Sequence, residues 1–182
     1  MLTIDIGSIP LEGLDVAEPL VPSDVHLDGE ESFALDPGGS LHCHLELVDG
    51  DTVHVRGHLR AQLGLECGRC LESFSFAVDQ ELDLFYLPHQ AGETEEEDEV
   101  ELTDRDMVVA YYESDRLDLG AMIREQLFLA VPMKRLCRED CRGRCPSCGV
   151  NWNAGHCDCP EGSDEPDPRL AGLKKLLEKG SH

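Results

Sequence analysis

Apolar and polar residues alternate with a period of two along much of the first ninety positions. Leu41, Cys43, Leu45 and Leu47 alternate with His42, His44 and Glu46. After Asp49-Gly50-Asp51, the residues Val53, Val55, Leu59, Ala61, Leu63 and Leu65 alternate with His54, Arg56, His58 and Arg60. This pattern predicts two half-buried antiparallel strands joined by a tight turn. Aligning the apolar faces pairs Leu47 with Val53 and Leu45 with Val55, because a one-residue slip turns every apolar side chain outward. Another long strand is expected over Ser73–Leu87, carrying Phe74, Phe76, Val78, Leu82, Leu84 and Tyr86. Weaker strands are expected near Leu2–Ile6 and Ser32–Leu35. Several antiparallel strands sharing one apolar face predict a small barrel or a strongly curved sheet.

The pattern then changes. Glu93–Glu101 holds seven acids in nine residues and predicts a solvated insertion. Met107–Tyr112 has the character of a returning strand. Leu119, Met122, Ile123, Leu127 and Ala130 recur at three- and four-residue spacing, which predicts a helix from an Asp118 N-cap to about Ala130, stopped by Pro132. A cysteine-rich stretch follows, then an acidic Pro-rich linker at Glu161–Pro168. A short helix opening at Asp167-Pro168 carries Leu170, Leu173, Leu176 and Leu177. The expected organisation is α+β. A barrel-like antiparallel body at 1–132 includes the acidic insertion near 90–101 and the helix near 118–130. The cysteine segment covers 133–160, and the linker with its helix covers 161–182.

Charge narrows the possible roles. The chain of 182 residues carries 15 Lys and Arg against 38 Asp and Glu, a net charge of −23. Such a chain repels phosphate at long range, so nucleic acid would be met at one local basic spot or not at all, and a basic protein partner suits it. Solubility alone is the simpler account of the charge. No Lys or Arg precedes Arg56, which argues against a secretory leader with a positive start. No apolar run approaches a membrane span. The expected location is the cytoplasm, with no membrane partner, and there clustered thiols stay reduced and more often hold metal than form disulfides.

Six of the nine cysteines fall between Cys137 and Cys159, as Cys137, Cys141, Cys145, Cys148, Cys157 and Cys159. The Cys145-Pro146-Ser147-Cys148-Gly149 turn has the spacing at which two thiolates reach one zinc ion. A tetrahedral site needs four ligands, so six cysteines leave two over. Cys67-Gly68-Arg69-Cys70 is the other close pair, and it brings the total to eight, enough for two sites. In chain order Cys67, Cys70, Cys137 and Cys141 form one and Cys145, Cys148, Cys157 and Cys159 the other. A single site in the tail, with Cys67 and Cys70 as a bare dithiol, is the competing partition, and His156 can replace a neighbouring thiol. Cys43 reads as a small buried hydrophobe. A catalytic zinc wants an open fourth position, which nothing here indicates. Redox use of Cys67 and Cys70 is disfavoured because the flanking segments are β, without the helix start that lowers a thiol pKa.

His42, His44, His54 and His58 share the polar face of the first hairpin. His42 is expected opposite His58 and His44 opposite Arg56, a solvated face rather than a metal site. Lys134, Arg135, Arg138, Arg142 and Arg144 thread the start of the cysteine cluster. They suit an RNA contact with Trp152 as a stacking surface, or equally the compensation of zinc-bound thiolates. No arrangement suited to nucleophilic or acid–base catalysis stands out, and no small-molecule substrate is indicated.

Taken together, Glu66-Cys67-Gly68-Arg69-Cys70-Leu71, the acidic insertion, Leu127-Phe128-Leu129-Ala130-Val131-Pro132, the cysteine tail and Asp167-Pro168-Arg169-Leu170-Ala171 resemble the YceD family of bacterial proteins. The resemblance runs from about residue 40 onward. It implies a role in accumulation or maturation of large-subunit ribosomal RNA, with that RNA or a basic large-subunit ribosomal protein as partner and no assigned catalytic mechanism. The expectation is a zinc-binding, non-enzymatic assembly factor, with a thiol-disulfide or zinc-transfer protein using Cys67 and Cys70 as the alternative.

Overall fold

Strand pairing follows the apolar alternation. The computed structural model describes residues 2–25, 27, 33–89 and 109–159. Strand β1 is Thr3–Asp5, β2 Leu14–Pro19, β3 Phe33–Val48, β4 Thr52–Glu66, β5 Ser73–Pro88, β6 Val109–Tyr112 and β7 Arg116–Asp118; helix α1 is Leu119–Ala130. β3 and β4 pair antiparallel with Leu45 opposite Val55 and Leu47 opposite Val53, the register the hydrophobic pattern requires. Asp49 and Gly50 turn the chain with φ of 56° and 96°, the left-handed values a tight hairpin needs. β4 pairs with β5 so that Ala61 meets Val78, Leu63 meets Phe76 and Leu65 meets Phe74. Apolar rows therefore cross three strands on one face.

β3 is longer than its sequence suggested. Pairing shifts between Asp36 and Ser40, where four steps along β3 match two along β4. The excess is even, so Phe33 and Leu35 stay on the same face as Leu41, Cys43 and Leu45. The weak strand expected at Ser32–Leu35 is therefore the first part of β3, with Ser32 outside the described residues. β1 matches the expected first strand, but it pairs with β7 in a separate two-stranded ribbon. The pattern did not reveal β2 and β7, which are short, with β2 mostly exposed. The returning strand is β6, lying parallel beside β5.

The barrel expectation is corrected by the sheet order, β2-β3-β4-β5-β6, which is open. Among the described residues β2 and β6 stand at opposite ends and do not pair. Helix α1 does what closing strands would have done. Leu119, Met122, Ile123 and Leu127 join Leu41, Leu45, Leu59, Leu63 and Tyr86 in one core. Asp118 caps the helix, its carboxylate accepting the Ala121 N–H at 3.0 Å, a contact worth about 1 kcal/mol. Gln126 is buried at the seam and accepts a hydrogen bond from the Gln80 side chain at 2.9 Å, so the helix brings no orphaned amide oxygen into the core.

The opposite face of the sheet is polar. His42 lies opposite His58 and His44 opposite Arg56. Carboxylates meet most of these rings: Asp15 beside His44, Glu46 and Asp83 beside His54, and Asp79 beside His58. Among the described residues they form no metal cluster. No helix there is long and apolar enough to cross a membrane. The acidic stretch Glu93–Glu101 and the C-terminal helix expected after Asp167 lie outside the described residues.

Candidate metal centre

Two five-residue turns in distant parts of the chain share one geometry. In Cys67–Leu71 the Leu71 N–H donates to the Cys67 carbonyl at 2.9 Å; in Cys145–Gly149 the Gly149 N–H donates to the Cys145 carbonyl at 2.9 Å. The first cysteine of each donates its own N–H one residue further on, to Glu72 at 3.0 Å and to Val150 at 2.9 Å. The residue after the second cysteine is left-handed in both, with φ of 60° at Leu71 and 74° at Gly149. The turn curls around the place where two sulfurs reach one ion.

The left-handed position has a testable cost. Glycine adopts it freely, whereas a side chain there costs about 1 kcal/mol. In urea unfolding of the metal-loaded protein, Leu71→Gly is expected to leave stability unchanged or raise it by up to about 1 kcal/mol, and Gly149→Ala to lower it by about 1 kcal/mol.

The turns each supply half of a four-sulfur group. Cys67, Cys70, Cys137 and Cys141 form one and Cys145, Cys148, Cys157 and Cys159 the other, with all sulfurs of a group within 4.8 Å of one another. In the first, Cys67 Sγ lies 3.7 Å from Cys141 Sγ and Cys70 Sγ 3.7 Å from Cys137 Sγ. A tetrahedral zinc with Zn–S bonds of about 2.3 Å places its sulfurs about 3.8 Å apart, so the donor set fits that ion. A disulfide holds sulfurs at about 2.05 Å, and none of these cysteines is bonded to another. His156 is exposed and belongs to neither group. Cys43 is buried in the sheet core, and burial, helped by Asp15, pushes its thiol up to about 11.

The first group joins the β body to the cysteine segment. Gly68 N–H donates to the Arg135 carbonyl at 2.8 Å, and the Arg69 guanidinium donates to the Cys141 carbonyl at 2.9 Å. Arg144 Nε donates to the Cys70 carbonyl at 2.6 Å. Asn153 Nδ2 lies 3.3 Å from Cys141 Sγ, close enough to donate to a thiolate. Gly143, at φ 77°, passes close to the Arg69 carbonyl, where a Cβ would sit 3.2 Å from the oxygen. Cys67, Cys70 and Cys141 are buried, whereas Cys148 is exposed. The first group is the more enclosed: only Cys137 in it is half-buried, whereas in the second Cys145 alone is buried.

The thiols of each group differ in acidity. Burial opposes ionisation of Cys67, but the N–H groups of Cys70, Cys137 and Arg69 outweigh it and bring the thiol down to about 6. The Cys148 N–H is the main reason that Cys145 falls to about 6, against the effect of burial. Burial, then the neighbouring Cys70 and Cys141 thiols, push Cys137 up to about 12. Cys159 is pushed up to about 12, first by Cys148 and then by burial. Like charges close together prevent four thiols from ionising in concert, and a divalent cation at their centre removes that obstacle.

The basic residues fall into two kinds. Arg138 donates to the Asn153 side chain at 2.7 Å and lies 3.4 Å from Asp140. Arg144 holds the Cys70 carbonyl and stands 3.5 Å from Glu72. These two, with Arg69, brace the first group. The side chains of Lys134 and Arg142 are exposed, Arg135 is half-buried, and Trp152 is half-buried with its backbone N–H on the Gly143 carbonyl at 2.9 Å. Sequence reasoning did not assign Arg69 or Asn153 to the site. Arg69 could have been found from its place between two ligands; Asn153 carried no such signal.

Comparison with known proteins places the chain in a family. The family described as "Large ribosomal RNA subunit accumulation protein YceD" matches residues 55–177. The chain is 35% identical over 154 residues to an uncharacterized protein of Mycobacterium tuberculosis, covering 82% of this chain and 68% of the relative. It is 30% identical over 162 residues to an uncharacterized protein of Mycobacterium leprae, covering 86% and 68%. It is 25% identical over 122 residues to the uncharacterized protein YlbN of Bacillus subtilis, covering 66% and 64%. No solved structure matches.

Proposed function

Because the chain belongs to the YceD family of large ribosomal RNA subunit accumulation proteins, we propose that it is a zinc-binding, non-enzymatic factor in maturation or accumulation of 23S ribosomal RNA. The observation that carries the zinc reading is the gathering of eight cysteines into two four-sulfur groups. Zinc bound there fixes the shape of a segment too poor in apolar residues to fold by itself. Four thiolates on a divalent ion leave a net charge of about minus two, which Arg69, Arg138 and Arg144 are placed to offset.

The factor acts as a scaffold in the cytoplasm. The zinc-braced loop of Lys134, Arg135, Arg138, Arg142 and Arg144 touches RNA phosphate, with Trp152 beside it, and the side chains of Lys134 and Arg142 are exposed there. The acidic body attracts or shields a basic large-subunit ribosomal protein. Burial of Cys67 and Cys70 supports structural over redox or zinc-transfer use of that pair, since a substrate thiol cannot reach sulfurs so enclosed.

Titration of the zinc-loaded protein with 23S ribosomal RNA fragments at moderate salt tests the reading. Binding is expected. Lys134→Gln with Arg142→Gln should make the fall of log affinity with log salt shallower, by about one for each phosphate left without its cation. A chain that binds neither these fragments nor large-subunit proteins would refute it.

A further inference from the structure

A groove of about 670 Å³ opens where β6, the β1–β7 ribbon and α1 meet, remote in sequence from every cysteine. Its walls are aromatic and acidic. Tyr86, Tyr111 and Tyr112 line it, and Asp5, Glu113, Asp118 and Glu125 present carboxylates against one cation, Arg116. Asp118 is occupied as the cap of α1, and Asp5 accepts the Gly7 N–H at 3.0 Å. Glu113 and Glu125, by contrast, have no ion pair among the described residues. Tyr111 is 64% exposed and meets the His89 ring edge-on at a centroid distance of 6.1 Å, which leaves much of the ring open to solvent.

The local backbone holds these groups in place. Ser114 and Asp115, with φ of 54° and 56°, turn β6 into β7, and the Arg116 N–H closes the turn on the Glu113 carbonyl at 3.1 Å. Two successive left-handed residues make the same kind of tight turn as Asp49 and Gly50, and it fixes where Glu113 and Arg116 stand. Burial and the Glu125 carboxylate push the Tyr86 phenol well above its ordinary range, so it stays a neutral donor. β6 ends the five-stranded sheet among the described residues, so a segment lying in the groove runs beside strand backbone.

We infer that this groove binds an extended, Arg- and Lys-bearing segment of a protein partner. Its cations would meet Glu113 and Glu125 and stack on Tyr111. RNA is the poorer occupant, because these carboxylates repel phosphate. The inference deepens the protein-facing half of the proposed function and gives that half a location, but it uses neither metal group nor the basic loop.

Fluorescence anisotropy of a labelled peptide of about nine residues, alternating arginine and valine, tests it on the full metal-loaded chain. The net charge attracts any cation, so the comparison is between variants of equal charge. Glu113→Gln with Glu125→Gln is expected to weaken binding about tenfold at roughly 0.15 M salt, and Tyr111→Ala several-fold. The pair Glu12→Gln with Glu18→Gln, on exposed positions outside the groove, should change it less than about twofold. Equal weakening by the two pairs, or no binding of the peptide by the parent chain, would overturn the inference. A failure here leaves the 23S RNA titration untouched, so the two readings fail separately.

Discussion

Serine in place of both Cys67 and Cys141 is expected to remove one of two zinc ions and lower the melting temperature by about 10–20 °C, a loss on the order of 5 kcal/mol. Structural zinc sites in small peptides gain about 10–16 kcal/mol on binding, but here the β body has a core of its own, so only part of that is lost. Cys67 comes from the end of β4 and Cys141 from the segment beyond α1, so this group joins parts of the chain that hydrogen bonds alone hold weakly. The bonds made by the Arg135 carbonyl, Arg69 and Arg144 depend on that joint. Serine at Cys148 and Cys159 should also cost one ion but shift the melting temperature by less than about 5 °C, because that group is less buried and formed within one short segment. Calorimetry with metal content measured on each variant separates the two groups. Equal shifts would mean that the enclosed group does not fasten the tail to the body.

Alanine at Gly57 is expected to cost at least about 3 kcal/mol. A Cβ there would lie 2.2 Å from the His42 carbonyl oxygen and 2.5 Å from Cys43 Cα. Both obstacles are backbone of the paired strand and cannot move without breaking the β3–β4 ladder. Gly64, on the same strand, is the control, since its nearest neighbour would be 3.7 Å away. Alanine there should stay within about 1 kcal/mol of the parent and tends to stabilise by reducing the freedom of the unfolded chain. Urea unfolding of the two variants reads the difference. A mild effect at Gly57 would mean that the strands do not approach as closely as their pairing requires.

Legibility followed the length scale of each signal. The β3–β4 register could be read because its apolar residues repeat over many positions and tolerate only one alignment. Helix α1 could be read from its Asp118 cap and its Leu119, Met122, Ile123 and Leu127 stripe. β2 and β7 could not, β7 being three residues long and β2 mostly exposed. Alternation allowed a barrel or a curved sheet, because it reports that a face is buried and not what buries it; the sheet is open and α1 covers that face. Chain order groups the cysteines in two sets of four, whereas their spacing alone leaves the partition open. The structure brings the same two sets of sulfurs together through matching turns at Leu71 and Gly149. The groove beside Tyr111 was invisible in sequence, since its walls come from five separate elements.

Metal content of the intact chain, purified without chelators and weighed by native mass spectrometry, bears most directly on the two four-thiol sites. Two zinc ions per chain with every cysteine unbridged is the expected mass. A chain carrying no metal, or one whose ligand cysteines are joined as disulfides, would contradict the account.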